Sequence, residues 1–249
     1  MCALTVEEAS ESYANTMRNV PPVGEGICAR CHTFIGPIYP TCYKCGHSPD
    51  FLDLVVPITY SEHLGQMHTA LRAYKSTPPT AAQKAANLRL LAILWRFLDL
   101  HEHCMTNALG IVGFDAVTAV PSSTRTRDKA NNLRTMLRSC APVRKRVERL
   151  LIPAIGSSDA RAFDPDRYEP QRSLAGENVL LVDDTWASGV HAQSAAYALK
   201  QAGAAKVGMV VIGRHLNPGW DVVNGKTSKA FLDELPPVFD WAVCAAHAD

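Results

Sequence analysis

One short stretch constrains the fold of this chain more than any other. Residues 178–182 read Asn-Val-Leu-Leu-Val, an aliphatic run followed directly by two acidic residues, Asp183 and Asp184. A loop of small residues comes next, and then a helical segment from His191 to Gln201. Continuous aliphatic strands that alternate with helices are typical of a parallel sheet covered on both faces. The stretch therefore predicts an α/β fold in which a buried strand ends in two carboxylates.

Other segments extend this pattern along the chain. Further strands are predicted at residues 52–60, 117–120, 150–155 and 207–212, and further helices at 62–75, from Ala81 to about Met105, and from about Asn132. On the long helix, we expect one shared face for five residues: Leu88, Leu91, Ala92, Trp95 and Leu98. Thr5 and Glu8 predict a capping box that opens a short N-terminal helix.

Four of the eight cysteines have the spacing of metal ligands. Cys28 and Cys31 form one Cys-x-x-Cys pair, Cys42 and Cys45 form a second, and ten residues separate the two pairs. Two such turns that face each other complete a tetrahedral zinc site with no open position, which indicates a structural ion. Disulfides or unligated thiols are the alternatives. A neighbouring histidine could also replace one cysteine, the candidates being His32 and His47.

These motifs divide the chain into two parts. The cysteine segment contains few apolar residues, so we expect the metal to supply its folding energy. We predict a zinc ribbon at 28–46 within an N-terminal segment 1–50, and then an α/β domain over 51–249 with a helical hood at about 52–110. Cys244-x-x-His247 also has ligand-like spacing, although the four-cysteine site is already complete. No third ligand is evident near His101 and His103, so a surface or satisfied role is expected for these two histidines. The isolated cysteines are expected to be buried: Cys2, Cys104 and Cys140.

Composition excludes several classes of protein. The 249 residues include 25 Lys and Arg against 24 Asp and Glu, a net charge of +1, and 47% are hydrophobic. A disordered, collagen-like or coiled-coil protein is excluded, and so is a uniformly basic nucleic-acid packager. The most apolar window, Leu88 to Leu100, is interrupted by charges and too short to span a membrane. Without an N-terminal secretory signal, we expect a soluble, cytoplasmic protein with no membrane insertion.

The charge is unevenly distributed. Residues 125–149 hold nine Lys or Arg residues against Asp128 and Glu148, a local charge of +7. Such a segment can bind single-stranded nucleic acid, but no aromatic residue is interleaved to stack on bases. A solvated face that steers substrate phosphates is the alternative. The segment from Gly156 to Gly176 is long enough to form a mobile lid, and it carries three arginines: Arg161, Arg167 and Arg172.

The loop after the acidic pair has the composition of a phosphate cradle. Residues 185–189 offer backbone N–H groups and two hydroxyls at the amino end of a helix, which together favour an anion. Gly189 permits a close backbone approach or a positive φ. Carboxylates beside such a cradle suit a ligand with both a phosphate and vicinal hydroxyls. A receiver-type domain, with a magnesium-binding Asp pair, does not fit because only 65 residues follow Asp184. An acidic pair without any ligand is the remaining alternative.

These features resemble the type I phosphoribosyltransferases, which bind 5-phosphoribosyl-1-pyrophosphate (PRPP). With the cysteine pairs, the chain resembles the ComF family, the competence protein F-type phosphoribosyltransferases, over roughly residues 28–215. Tyr60 and the stretch Leu71-Arg72-Ala73-Tyr74-Lys75 resemble that family's Tyr…Leu-Lys-Tyr region, and Val120-Pro121-Ser122-Ser123 resembles its pyrophosphate loop. The chain departs from the family where His191 replaces Thr, where Trp186 replaces a smaller residue, and where 127–132 replaces Arg-Gly-Phe-Asn.

The resemblance implies a reaction and a set of site residues. A nucleobase or amine acceptor would displace pyrophosphate from ribose C1 with Mg²⁺, and Asp183 and Asp184 would hold the ribose hydroxyls. The 5-phosphate would lie on Thr185, Trp186, Ala187, Ser188 and Gly189. Pyrophosphate would lie on Ser122, Ser123, Arg125, Arg127 and Lys129. The alternative is a non-catalytic PRPP- or nucleotide-sensing adaptor in DNA uptake or repair, with nucleic acid or competence and repair proteins as partners.

Overall fold

Strands and helices alternate along the chain as the sequence predicts. The computed structural model describes residues 4–76, 80–156, 162–223 and 225–246. Its helices are α1 (Val6–Ala14), α2 (Tyr43–Gly46), α3 (Gln66–Ala73), α4 (Ala81–Leu109), α5 (Arg125–Lys129), α6 (Asn132–Ser139), α7 (Val190–Gln201) and α8 (Ser228–Glu234). The strands are β1 (Leu54–Glu62), β2 (Ala116–Ala119), β3 (Leu151–Pro153), β4 (Tyr168–Pro170), β5 (Asn178–Trp186), β6 (Lys206–Leu216), β7 (Asp221–Val223) and β8 (Lys226–Thr227).

Four strands form one parallel sheet in the order β1-β6-β5-β2. β1 is an edge strand and can therefore contain Pro57, which has no N–H to donate to a neighbouring strand. Two short antiparallel pairs, β3 with β4 and β7 with β8, lie outside this sheet. The parallel sheet with flanking helices confirms the α/β class predicted from the aliphatic runs.

The sheet has a hydrophobic layer on each face because successive side chains of a buried strand point to opposite sides. Leu180 and Val182 of β5 join a core with residues of α1, α3, α4 and α6. Leu181 of β5 joins a second core, which includes α7, β3 and the buried cysteines. The carboxyl ends of all four strands meet at one edge, and the candidate site lies there.

Helix α4 is longer than predicted, and its buried face differs in part from the predicted face. It ends at Leu109, where Gly110 adopts a left-handed conformation with φ of 65°. The predicted face is wrong at Leu88, which is 67% exposed. Ala92 and Leu98 are buried as predicted, and between residues 88 and 98 they are joined by Leu90, Ile93, Leu94 and Phe97. The helix carries apolar residues nearly all round in this region, so periodicity alone could not choose the face.

The N-terminal residues are part of the α/β core. Thr5 and Glu8 form the predicted capping box, with hydrogen bonds of 2.9 and 3.1 Å. α1 packs against α4, and Tyr13 and Met17 lie in the same core as one face of the sheet. Within the predicted hood, residues 54–62 form the sheet strand β1, whereas α3 and α4 cover its face. No helix in the described ranges has the length and apolarity needed to cross a bilayer.

The segment predicted as a lid is partly built into the fold. Its residues 157–161, which include Arg161, lie outside the described residues. Tyr168–Pro170 forms β4 and pairs with β3, and the neighbouring Arg167 is only 1% exposed. Arg172 forms ion pairs with two glutamates, at 2.8 Å to Glu148 and 2.5 Å to Glu177. Two of the three arginines therefore stabilise local structure.

Candidate functional site

The acidic pair lies near the end of β5, where this strand is still paired with β6. The strand continues through Asp183 and Asp184 to Trp186, four residues further than predicted, because β6 pairs with it as far as Arg214. Asp184 is 5% exposed, and its N–H donates to Oδ1 of Asp183 at 2.8 Å. Both carboxyls are therefore held by the sheet at its carboxyl edge, where ligands bind in α/β proteins.

The end of α3 contacts Asp184 directly. The Tyr74 hydroxyl donates to Oδ2 of Asp184, and Lys75 Nζ lies 2.7 Å from the same oxygen. The carbonyl of Tyr74 in turn accepts from Asn132 Nδ2 at 2.7 Å and from Gln83 Nε2 at 3.3 Å. Three helices thus fix this corner. The stretch 71–75 is the sequence signal for this corner, and it does not by itself assign Tyr74 or Lys75 to the site.

The environment disfavours ionisation of the two carboxyls. Burial raises the pKa of Asp183 to about 6 and that of Asp184 to about 7. The Lys75 ammonium acts in the opposite direction on the pKa of Asp183, while burial lowers the pKa of Lys75 itself. A ligand that donates hydroxyl hydrogen bonds, or brings a cation, stabilises the charged form of such a pair.

The loop after the pair leads into an uncapped helix. Gly189, with φ of +79°, precedes α7, and no side chain caps the first turn. The N–H groups of that turn face the loop and favour an anion. A Cβ atom at Gly189 would overlap the indole ring of Trp186, which is 3% exposed. The Trp186 side chain therefore packs inward, and only the backbone of this residue lies at the loop surface. Thr185 and Ser188 are half-buried there.

Tyr168 joins the two loops of this edge. Val120 N–H donates to Val182 at 2.9 Å, which sets the loop after β2 beside the acidic pair. The Tyr168 hydroxyl donates to the carbonyl of Pro121 at 3.4 Å and lies 3.2 Å from Nδ1 of His191, in the first turn of α7. The structure thus brings the Val-Pro-Ser-Ser loop, the acidic pair and the start of α7 together.

The predicted pyrophosphate residues divide into two groups. Arg125 is paired, at 2.7 Å to Glu169 and 2.8 Å to the carbonyl of Pro153. Arg127 and Lys129 are exposed, and within the described ranges neither forms an ion pair. Ser122 and Ser123 are half-buried, and Arg127 lies 3.5 Å from Ser123 Oγ. Arg127 and Lys129 are therefore the cations that can meet a polyphosphate without breaking an existing pair.

Asp128 organises this loop, a role that its place within a basic run did not suggest. It is fully buried, accepts from the N–H of Ser122 at 3.1 Å, and pairs with Arg134 at 3.2 Å and Arg149 at 2.6 Å. Arg146 pairs with Glu102 at 2.5 Å. Four of the nine cations in 125–149 are thus neutralised, and the segment is divided between α5, α6 and a 3₁₀ turn rather than forming one basic helix.

The four cysteines of the two Cys-x-x-Cys pairs converge. Their sulfur atoms lie within 4.8 Å of one another, and Cys31 Sγ is 3.8 Å from Cys42 Sγ. Sulfur ligands of a tetrahedral zinc ion are roughly 3.8 Å apart, so this group can hold zinc. Cys28 and Cys31 raise the pKa of the Cys42 and Cys45 thiols. None of the seven described cysteines is in a disulfide, and Cys2 lies outside the described residues.

The two neighbouring histidines do not replace a cysteine. The ring nitrogens of His32 contact the carbonyls of Pro21 at 3.0 Å and Val55 at 3.1 Å. His47 Nδ1 contacts the carbonyl of Tyr43 at 2.8 Å. His32 is not a ligand, because both of its ring nitrogens face backbone oxygens, and His47 is not among the residues whose ligand atoms converge.

Arg214 connects the cysteine group to the loop after β5. It is 6% exposed and lies near the end of β6. Its guanidinium donates to the carbonyl of Cys31 at 2.9 Å, to Cys31 Sγ at 3.4 Å and to the carbonyl of Trp186 at 3.2 Å. The sequence gives no signal for this link, because Arg214 follows an aliphatic strand without any motif.

Three histidines also gather at the carboxyl edge of β1 and β6. The ring centroids of His63, His68 and His215 are 5.1 to 5.6 Å apart. Burial lowers the pKa of His68 and His215, and their charged neighbours lower it further. The N–H of Leu64 donates to His68 Nδ1 at 3.1 Å, which occupies the lone pair of that nitrogen.

A cavity of about 460 Å³ lies elsewhere, beside the cysteine segment, where Arg30, Asp50 and Leu52 line it. Comparison with protein-family models finds no match, and comparison with curated proteins finds none either. Function must therefore be argued from the site itself.

Proposed function

We propose that this protein binds PRPP at the carboxyl edge of β5 and transfers its phosphoribosyl group, as a ComF-type phosphoribosyltransferase. One observation carries the proposal: Asp183 and Asp184 lie between the uncapped start of α7 and the loop after β2. This places hydroxyl acceptors between two positions that favour phosphate. PRPP has the matching order of groups, with a ribose between its 5-phosphate and its pyrophosphate.

Each part of the edge has a role in this proposal. Asp183 and Asp184 accept from the ribose 2′- and 3′-hydroxyls, and the backbone of residues 185–189 with the Ser188 hydroxyl binds the 5-phosphate. Arg127 and Lys129, with Ser122 and Ser123, face the pyrophosphate, whereas Arg125 would first have to leave Glu169. Mg²⁺ bound with PRPP would neutralise charge that develops on the leaving group.

The four cysteines are assigned to a structural zinc ion in this proposal. Support comes from the closely spaced sulfurs and from the link through Arg214 to Trp186 at the end of β5. Because four protein ligands leave no open position, the ion would shape the loop rather than take part in chemistry.

Pyrophosphate release tests the enzymatic claim. The protein would be incubated with PRPP, Mg²⁺ and a panel of nucleobases and amines, and free pyrophosphate would be measured over time. We expect acceptor-dependent release that falls at least 100-fold in Asp183→Asn and Asp184→Asn, since both positioning and electrostatics are lost. Asp233→Asn, a surface carboxylate paired with Lys229, is the matched control and should retain the parent rate. No release with any acceptor would contradict the enzymatic claim.

A second candidate, a PRPP- or nucleotide-sensing adaptor without turnover, is supported by the contacts of Asp184. Tyr74 and Lys75 already engage this carboxyl, and Trp186 packs tightly on Gly189. Such contacts suit tight binding more than exchange of a leaving group. PRPP binding in calorimetry without pyrophosphate release from any acceptor would favour the adaptor. Release at a rate above the Asp183→Asn background would exclude it.

A further inference from the structure

A second group of buried ligand-type side chains lies outside the candidate site, where the C-terminal segment meets α4. His101 and Cys104 are one turn apart on α4, and Cys244 approaches them from the C-terminal segment. The three residues are 3%, 5% and 3% exposed, and their ligand atoms lie within 4.8 Å of one another. Three soft or borderline donors thus share one buried position.

The hydrogen bonds of His101 orient its ring toward the thiols. Nε2 lies 2.7 Å from the carbonyl of Trp241, and because a carbonyl oxygen only accepts, Nε2 carries the proton. The lone pair is therefore on Nδ1, which lies 3.6 Å from Cys104 Sγ. Nitrogen and sulfur ligands of a tetrahedral zinc ion are roughly 3.5 Å apart. A carbonyl behind the other ring nitrogen is the usual arrangement for a metal-bound histidine.

The surroundings of Cys244 also suit a thiolate. The N–H of Ala246 donates to Cys244 Sγ at 3.3 Å, and a hydrogen bond of this kind favours the charged form of an acceptor. Cys104 and Cys244 are not joined by a disulfide, so a covalent link does not account for their proximity. Cys140, equally buried, belongs to no such group in the described part of the chain and serves as a comparison.

The C-terminal segment has a structural need for an anchor. Residues 235–246 contain no helix or strand, yet they cover α1 and α4. Trp241 Nε1 donates to Glu11 at 3.1 Å, and Arg96 lies 4.3 Å above the Trp241 ring. A metal bound by α4 and Cys244 would fix the far end of this irregular segment, where backbone pairing contributes nothing.

We propose that His101, Cys104 and Cys244 are ligands of a second structural zinc ion, which fastens the C-terminal segment to α4. Mixed imidazole and thiolate ligands select zinc among the common metals. The predicted Cys244-x-x-His247 spacing adds no ligand to this group, because His247 lies outside the described residues. The site is independent of the PRPP proposal and of the other four cysteines.

Zinc content tests the site through a difference between two proteins. Parent and Cys104→Ala/Cys244→Ala would be purified under reducing conditions, and zinc per folded chain would be counted by native mass spectrometry. We expect one zinc ion fewer in the variant, and no loss in the control Cys140→Ala. Equal zinc counts in parent and variant would overturn the proposal, as would a Cys104–Cys244 disulfide found in the purified parent.

A measurement on the parent alone covers the case in which the variant does not fold. After a chelator has reduced the zinc content to zero, native alkylation would be mapped by peptide mass spectrometry. We expect Cys104 and Cys244 to become reactive while Cys140, which has only packing to lose, stays protected. If Cys104 and Cys244 remain as protected as Cys140 without zinc, the proposal is wrong.

Discussion

Asp183 and Asp184 are held where the folded protein disfavours their charged forms. A carboxyl whose pKa is raised on folding binds more protons in the native state than in the unfolded state between the two pKa values. The stability of the native state then falls as pH rises through that range. A ligand that contacts the carboxylates directly can recover this free energy, which is a physical reason to place a binding function here.

The first prediction concerns the pH dependence of stability. The pKa of Asp183 rises to about 6 in the folded protein from its ordinary value of 3.8, so its destabilising effect appears between about pH 4 and 6 and is complete above that range. We expect Asp183→Asn to be more stable than the parent by about 1–3 kcal/mol at pH 8 and to gain nothing at pH 3.5. Urea unfolding at both pH values measures this.

Asp233→Asn is the control for that series and should follow the pH dependence of the parent. If Asp183→Asn is destabilised at pH 8 by more than it is at pH 3.5, the sign of the pKa shift is wrong, and Asp183 is instead held as a stabilising carboxylate.

The second prediction concerns Gly189. Alanine there must adopt φ of +79° and must also displace the Trp186 ring, so Gly189→Ala should destabilise the protein by about 2–4 kcal/mol and weaken PRPP binding. Gly176 has φ of +80° with no atom within 4 Å of an added Cβ, so Gly176→Ala isolates the conformational cost at about 1 kcal/mol. Comparing the thermal unfolding of the two variants separates the cost of the positive φ from the cost of overlap with the Trp186 ring. Equal losses would contradict the packing of Trp186 on Gly189.

At the scale of elements, Asp128 fixes the loop between β2 and α6. Its carboxylate joins Arg134, Arg149 and the N–H of Ser122, all at a position with no exposure. We expect Asp128→Asn to lower the free energy of unfolding by about 3 kcal/mol, because two arginines lose a buried partner. Glu148→Gln, which breaks an exposed pair with Arg172, should cost about 0.5 kcal/mol. Chemical denaturation checks this contrast, and a loss below 1 kcal/mol for Asp128→Asn would contradict the role.

The elements show which features the sequence can predict. The aliphatic runs predict β2, β5 and β6 because buried parallel strands need continuous apolar residues, and the cysteine spacing predicts a ligand group because two turns must each point two sulfurs at one centre. The sequence does not predict the contact of Tyr74 with Asp184 or of Arg214 with Trp186. These pairs are separated by 110 and 28 residues, and only tertiary packing brings them together.

The prediction of the buried face of α4 was partly wrong for a different reason. Apolar residues surround that helix between 88 and 98, so several faces satisfy the same periodicity. The burial of the face with Leu90 and Leu94 is decided by where α1 and the sheet lie against it. Likewise, the +7 charge of residues 125–149 overstates the free positive charge, because Glu169 and Glu102, which lie outside the segment, pair with Arg125 and Arg146.

At the scale of the whole molecule, the cysteine group and the acidic edge are mechanically connected. Arg214 spans from Cys31 to the end of β5, and the buried cysteines share a hydrophobic core with Leu181 and Trp186. A change at the sulfurs should therefore reach the loop that follows Trp186.

We therefore expect zinc removal to lower the thermal stability of the protein and its affinity for PRPP together. Arg214→Met should weaken PRPP binding at least 10-fold with zinc still bound, because the carbonyl of Trp186 loses its buried donor. Calorimetry with zinc quantification measures both effects. If chelation lowers the melting temperature but leaves PRPP affinity unchanged, the cysteine group supports the fold without influencing the site.

The central claim is that the carboxyl edge of β5 binds PRPP through Asp183 and Asp184. Calorimetric titration of PRPP with Mg²⁺ into the parent and into the Asp183→Asn/Asp184→Asn variant tests it most directly. We expect one saturable PRPP site per chain in the parent and at least a 100-fold loss of affinity in the variant, with the affinity of Asp233→Asn unchanged. Equal affinity in parent and variant, or no binding to the parent, would contradict it.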